Sequence, residues 1–458
     1  MTIIDSNRIH LVVGLALHVL VLLGAADATA TETVDGQTTL SGRQNLRQLQ
    51  AFALEHNPEV SASVFDGHAA RARTASAVAA RLPRLSIEGA YNRYDPDLRL
   101  TAARFNGELG AFGDNVQTTD LVLRLPLFTG GRLVAEVRAA ELLEASADQR
   151  LARSRSDLIY NVASLYFSVL AQQRLIASLE LSTQALAAHL DQVQALIAAR
   201  KAAAVEALRS EVKLADIRQR WLREQNILAI QWQSLLNLLG AGTAAARFSL
   251  VDALVPPAVE EASVDVLVEA AHRQRPDVIA TRNELDAQAA RLDAARAGHW
   301  PTVNLIGAIG NRSMNNPAQL PSGISDNDRV SRIGITVEIP IFEGGRIAAR
   351  IDEEKAKFNA QRERLDKLLL QVRLDVTGAG ANLASALERL KSTEKAVALA
   401  SKVTEIEREK YALGRGTQLD VLDAQNALLD AETNHIRALA DANTSKAQLR
   451  WAKGETTQ

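Results

Sequence analysis

The sequence predicts an α+β membrane protein with four transmembrane β-strands per chain, long antiparallel coiled-coil helices and an internal two-fold repeat. Three observations carry this. The phrase "LPLFTGGR" at 125–132 returns as "IPIFEGGR" at 339–346, 214 positions later. Four segments of about ten residues alternate apolar and polar side chains, the period of a strand. Each GGR is followed by a helical period sustained over some sixty residues, far beyond an ordinary globular helix.

The N-terminus stands apart from this plan. Arg8 and His10 precede the apolar run "LVVGLALHVLVLLGA", and "ATA" at Ala28–Ala30 fits a small-residue cleavage site. Residues 1–30 therefore read as a signal peptide, with a retained N-terminal anchor as the other reading. Across 458 residues, 52 Lys and Arg face 54 Asp and Glu, a net charge of −2. That balance gives no general attraction to nucleic acid. Cysteine is absent, which excludes both a disulfide-stapled scaffold and acylation on an N-terminal Cys.

The repetition extends past the GGR phrase. "NPEV" at 57–60 answers "RPDV" at 275–278, and "LPRLSIEG" at 82–89 answers "WPTVNLIG" at 300–307, both 218 positions apart. The offset falls to 214 at the GGR phrase, so the first copy carries four extra residues in the intervening loop. The expected organisation is a first repeat over 31–240, a linker over 241–262 and a second repeat over 263–458.

The elements follow in order. In 84–94, Leu85, Ile87, Gly89 and Tyr91 alternate with Ser86, Glu88, Ala90 and Asn92; 118–128 alternates on Leu121, Leu123, Leu125 and Leu127. The second copy does the same over 302–311 and 330–342. Each length suits a tilted strand crossing a bilayer. Polar loops rich in Gly, Pro, Asn and Asp separate the members of each pair. Helices are expected at about 132–200 and 203–240. Residues 132–200 contain neither Pro nor Gly, and Leu151, Leu158, Leu165, Leu179, Leu186 and Val193 fall at steps of seven, with Gln172 filling the missing step. In the returning helix the series reads Val212, Ala215, Leu222, Ala229 and Leu236. The second copy repeats the pair at about 346–412 and 417–451.

Four such strands cannot stand in lipid as an open sheet, because their edge backbone groups would lack partners. Several chains must close one barrel. Pro126 and Pro340 lack an N–H and are expected to end ladder pairing. Gly130, Gly131, Gly344 and Gly345 let the backbone turn sharply from strand to helix.

With the doubled P-[LI]-F-x-G-G-R phrase, the strand pairs, the helix pairs and "YALGRGTQLDVLDAQNALLDAE" at 411–432, the chain resembles the TolC-type outer-membrane efflux proteins over residues 40–452. The resemblance implies a homotrimer whose strands close a single β-barrel in outer-membrane lipid. The barrel continues into a long periplasmic α-barrel. It also implies a Gram-negative outer-membrane exit duct of a tripartite export system, partnered by a periplasmic adaptor protein and an inner-membrane pump, with no cofactor and no enzymatic activity.

The far helix ends fall near 200–205 and 414–418. Gly414 and Gly416 flank Arg415, whereas the matching first-copy positions are Arg200 and Ala202, without the glycines the resemblance leads one to expect. These four residues are candidates for the tip turns and adaptor docking. Asp420 and Asp423 lie three apart on one helix face. By resemblance they form an acidic ring at a periplasmic gate with Glu206, held shut through Tyr411, with Arg415 as cationic partner. The plainer alternative is that the two aspartates simply favour a solvated helix N-terminus.

Other chemistry is not signalled. The eight His are scattered, only two Met are present, no phosphate loop is complete and no nucleophile elbow occurs. Trp300, Tyr91, Tyr94 and Phe128 near strand ends fit an interfacial girdle or plain packing. Two further readings are a trimeric coiled-coil surface adhesin and a periplasmic scaffold without a conduit.

Overall fold

A computed structural model of the chain describes residues 41–93, 115–241, 247–258, 263–315 and 327–455. The expected signal peptide, Tyr94 and most of the two inter-strand loops lie outside the described residues.

Each half begins with a short helix and a medium one. In the first, β1 (Ser41–Gln44) leads to α1 (Leu46–His56) and α2 (Pro58–Ala79). In the second, β4 (Arg247–Leu250) leads to α5 (Val264–Gln274) and α6 (Pro276–Arg296). The prolines of "NPEV" and "RPDV" sit at the first turn of α2 and α6, where a missing N–H has no intrahelical partner to lose. Asn57 completes the first cap by accepting from the amides of Glu59 and Val60. None of these helices was read from the sequence, since their apolar stripes are short.

Strands follow: β2 (Arg84–Arg93) and β3 (Asn115–Phe128), then β5 (Thr302–Asn315) and β6 (Asn327–Glu338). They form one antiparallel sheet in the order β2-β3-β5-β6, leaving an edge at each side. Register puts Leu85 opposite Leu123, and Val303 opposite Val337. Those positions differ by 218 and 214, the two offsets read from the sequence. One face carries Leu85, Ile87, Leu121, Leu123, Ile309, Ile333 and Ile335, all exposed, with Ile333 at 81%. On the other face Val122 and Ala308 are buried and Arg124 pairs with Glu88.

Two expectations about the strand ends are corrected. Pro126 does not end β3, which runs on to Phe128 through a bulge between Pro126 and Phe128 while pairing with β5. Pairing with β2 has already stopped at Arg84–Arg124, so the proline needs no donor on that side. The fourth strand ends at Glu338 rather than 342. The β5 ladder stops at Thr302–Glu338, and residues 339–342, on the open side, have nothing to pair with. Elsewhere the outer strand ends run further than read, β3 beginning at Asn115 and β5 reaching Asn315.

Gly131 and Gly345, with φ of 87° and 86°, open the two long helices, α3 (Arg132–Ala198) and α7 (Arg346–Ala412). Each has 67 residues, about 100 Å at 1.5 Å per residue. The returning helices are α4 (Ala204–Leu238) and α8 (Gln418–Lys453). Near the sheet, neighbouring helices run α2–α3–α6–α7; away from it they run α4–α3–α8–α7. The α3 seam matches its heptads: Leu158, Gln172, Leu179, Leu186 and Val193 are buried, and Gln172 Nε2 donates to the carbonyl and carboxylate of Glu224 at 2.9 and 2.7 Å. The α4 seam does so only at its last step: Leu236 is buried, whereas Val212, Ala215, Leu222 and Ala229 are exposed, and the packed face carries Ser210, Leu214, Ile217 and Leu235. Over most of α4 the sequence offered two interleaved apolar stripes, and the one read is the outward one.

Where α4 ends it meets the start of α2, and where α8 ends it meets α6. Gly240 and Gly454 adopt φ of 66° and 81° at these ends. Asn57 Nδ2 donates to Leu238 O at 2.8 Å; Arg275 Nη1, at the matching place, reaches Ala452 O at 3.4 Å. Arg275 is buried between Asp277 and Asp375. The linker is also structured: β4 pairs in parallel with β1. Tyr166 donates to Asp252 at 2.8 Å, Arg174 to Leu254 O at 3.0 Å, and Asn443 to Val255 O at 2.9 Å, pinning the linker across the middle of α3 and α8.

Candidate functional site

The site is built where the two helical hairpins turn, at the end remote from the sheet. After α7, Gly414 takes φ 70°, its amide bonds Tyr411 O at 3.0 Å and the Arg415 amide bonds Lys410 O at 2.8 Å. That is a Schellman turn. After α3 the same turn forms on Arg200, at φ 59°, with Arg200 N to Ile197 O at 2.9 Å and Lys201 N to Leu196 O at 2.8 Å. The missing glycine thus does not change the turn; an arginine holds the left-handed position instead, at a conformational cost. At Gly416 an added Cβ would lie 3.1 Å from Lys410 Cβ, and the first hairpin accepts Ala202 at that place.

Thr417 caps α8. Its hydroxyl accepts from the Asp420 amide at 3.2 Å, and the Asp420 carboxylate accepts from the Thr417 amide and hydroxyl at 3.0 and 2.6 Å. These bonds hold the Asp420 carboxyl below its ordinary range, with a smaller contribution from Lys410. Arg415, the expected cationic partner, is in no ion pair among the described residues; it lies on the turn itself. Asp423 is exposed. Its first-copy counterpart is Arg209, while that of Asp420 is Glu206. The first hairpin has only half of this cap, Glu206 Oε1 accepting from the Ala203 amide at 3.5 Å.

The two hairpins are joined through Glu206. Tyr411 donates its hydroxyl to Glu206 Oε2 at 3.1 Å. Gln418 Nε2 donates to Glu206 O at 2.7 Å and to Ser210 Oγ at 2.5 Å. Burial, then the Glu206 bond, pushes the Tyr411 phenol up to about 12. Behind this latch lies His189 of α3, buried, with its ring 5.5 Å from that of Tyr411 and Nε2 unpartnered. Burial first, then Arg408, lowers its pKa, against a smaller opposing pull from Glu206. His189, Gln418 and Ser210 were not singled out from the sequence. The available signal was a histidine three residues after Leu186 and four before Val193, inside the α3 seam.

No helix among the described residues is long and apolar enough to cross a membrane, and no group of three or more His, Cys, Asp or Glu there could hold a metal ion. What remains is a sheet with an apolar outer face, joined to helices about 100 Å long whose far ends interlock. Residues 50–241 and 267–455 match one family, described as outer membrane efflux protein. The chain belongs to that family. This efflux protein is 24% identical over 417 residues to outer membrane protein TolC of Vibrio cholerae, covering 91% of this chain and 92% of that one. It is 27% identical to outer membrane protein OprJ of Pseudomonas aeruginosa, covering 90% and 85%. Its fold matches the crystal structure of outer membrane protein VceC from Vibrio cholerae with a TM-score of 0.76 at 21% identity, over 89% and 96% of the two chains. The efflux protein is thus an outer-membrane protein, and its two family matches correspond to the two halves of the chain.

Proposed function

We propose that the chain is one third of a passive exit duct. Three copies close a single β-barrel across outer-membrane lipid, and their helices continue it as an α-barrel into the periplasm. The observation that carries this reading is the sheet: four strands, an exposed apolar band along one face and two unpartnered edges, an arrangement that lipid does not tolerate unless other chains finish the wall. An adhesin or scaffold has no use for an apolar band of that kind on a strand pair repeated twice.

The interlocked hairpins form the gate. Three copies of Asp420 and Asp423 ring the entrance and favour cations, while the Tyr411–Glu206 and Gln418–Ser210 bonds hold neighbouring hairpins together within each copy. Opening is an iris-like slide of one hairpin past the other, which must break these bonds. The turns at Arg200–Ala202 and Gly414–Gly416 face an adaptor that links the duct to an inner-membrane pump. No step is catalytic.

The test is conductance in planar lipid together with mass in detergent. Trimers that produce discrete ion-conducting steps are expected; a folded, non-conducting single subunit overturns the duct. For the gate, Asp420→Ala with Asp423→Ala is expected to reduce cation selectivity, and unchanged reversal potentials remove both residues from the entrance.

A further inference from the structure

Just beyond the sheet, the layer of helices collects arginine on one side. A cavity of about 460 Å³ lies against α3 and is lined by Asp66 and Arg73 of α2, Arg150 of α3 and Arg291 of α6. Its floor is apolar: Ala139, Ala140, Leu143 and Ala147 of α3, with Ala70 of α2. A second cavity, of about 300 Å³, adjoins it through Glu136 and Arg291 and is lined by Arg132, Arg346 and Arg350.

Both halves of the chain build this belt. Arg73 and Arg291 are counterparts by the 218-residue offset and Arg132 and Arg346 by the 214-residue one, while the place of Glu136 is taken in the second half by Arg350. Part of the charge is already engaged: Arg132 pairs with Glu136 at 2.9 Å, Arg150 with Glu284, and Arg350 with Glu353 and Glu354 at 3.0 and 3.3 Å. Arg73 and Arg291 are exposed and, among the described residues, in no ion pair. Of the two acids lining the larger cavity, Glu136 is engaged and Asp66 is not.

In the duct proposed above, this side of the helices is the inner one. Arg132 and Arg150 are 18 residues apart, about five turns, and share a side of α3; Ile159, nine residues past Arg150, lies on the opposite side. There Gln50 of α1 donates to Ile159 O at 3.1 Å, so α1 covers the side away from the arginines. Moreover, α2 and α6 flank α3 on either side, yet both line one cavity. Side chains from both neighbours of a helix converge on the concave side of a curved wall.

Resting on that duct reading, we infer that the larger cavity is a transit site for small amphipathic organic anions. An aromatic or short aliphatic body lies on the alanine floor, and a carboxylate or sulfonate sits between Arg73 and Arg291. Guanidinium forks hold such head groups through paired, charge-assisted bonds, and the volume is that of a small-molecule site. The aspartates at the hairpin tips do not oppose this. From Arg150, α3 runs 48 residues further to Ala198, about 70 Å, many screening lengths in physiological salt.

The probe is naphthalene-2-sulfonate, titrated calorimetrically into the full chain in a neutral detergent. Saturable binding is expected, weakened about tenfold or more by Arg73→Gln with Arg291→Gln, in a variant that keeps the parent's mass. Inorganic sulfate, a head without a body, should not compete at equal concentration, and 2-naphthylmethylammonium, the same body with the opposite charge, should not bind. In planar lipid the sulfonate should reduce the current through the parent and do so less through the variant. Equal affinity of parent and variant, or equal competition by sulfate, overturns the site. Dissociation of the variant into single subunits shows that the two arginines hold copies together instead, and overturns it too. Binding without any block of a conducting parent removes the site from the inner wall. A parent that never conducts overturns the duct, while the titration still decides whether the cavity takes the anion.

Discussion

Among single residues, His189 is the one whose chemistry the geometry of the hairpin tips constrains most. It is buried behind Tyr411 with an unpartnered Nε2, and its neighbours on the other helices are Glu206, Arg408 and Tyr411. Burial lowers its pKa, so the folded state holds fewer protons than the unfolded chain just below the ordinary histidine value of about 6.5. Its contribution to stability is complete above that value and is lost as pH falls through the lowered one. An imidazolium there competes with Tyr411 for Glu206 and is repelled by Arg408. The open fraction in planar lipid is expected to rise at least twofold from pH 7.5 to 5.5, and His189→Gln to flatten that response. Asp420, already held ionised, does not titrate in this window. A parent channel indifferent to pH removes His189 from the latch. Arg200 makes a second prediction. In the left-handed region a side chain costs about 1–2 kcal/mol, partly offset in a glycine by greater unfolded freedom. Arg200→Gly should therefore raise stability by up to about 1 kcal/mol in thermal unfolding. Tyr411 and Glu206 were named from the sequence through the motif they belong to. Their bond to each other and the Gln418–Ser210 bond were not, because these join positions 205 and 208 residues apart on different hairpins.

Elements are limited by their joints. Gly240 and Gly454 combine left-handed backbone with close approach: a Cβ at Gly240 would collide with the His56 carbonyl, and one at Gly454 would sit 2.9 Å from Arg275 Cα. Gly42 shares the backbone sign, at φ 77°, with nothing within 4 Å. Gly42→Ala should cost only the conformational term, about 1–2 kcal/mol. Gly454→Ala should cost more and Gly240→Ala most, measured as the order of midpoints in denaturant. Equal losses would show that end-to-end packing of α4 on α2 contributes nothing. The long helices and strand pairs were readable because a period sustained over many residues outweighs local noise. The medium helices α2 and α6 were not: α2 is buried by tertiary packing on α3, and α6 by packing on α3 and α7, and their small Ala-rich contact faces carry little periodic signal. Pro126 was misjudged for a related reason. A proline forbids a hydrogen bond only on the side its N–H would face, and the sequence does not say which side of β3 is occupied.

For the whole molecule, the exposed stripe of α4 is the feature that a single chain leaves unexplained. Val212 is 72% and Leu222 56% exposed, with Leu208 beside them on the same helix. These residues were read from the sequence as part of the α4 seam; Leu236 at its end packs inside the protomer, but Val212 and Leu222 do not. In the helix order away from the sheet, α4 lies at one side of the protomer and α7 at the other. Within the chain, Leu422 of α8 packs in a cluster with Leu179 and Leu186 of α3, and Leu208 is the counterpart of Leu422 by the 214-residue offset. In the proposed closed tube, α4 of one copy is expected to dock on α7 of the next as α8 docks on α3 within the chain. Full burial of a Val or Leu side chain contributes about 1.5–3 kcal/mol, so losing two per interface weakens association by a factor of ten or more at each. Val212→Glu with Leu222→Glu is expected to shift the detergent-solubilised protein from trimer to monomer, with helical content unchanged because the packed α3–α4 face, Leu214 and Ile217 among its residues, is untouched. Trimers that keep their mass and conductance with two carboxylates on that stripe would show that α4 faces water, and that the wall of the tube closes through other helices.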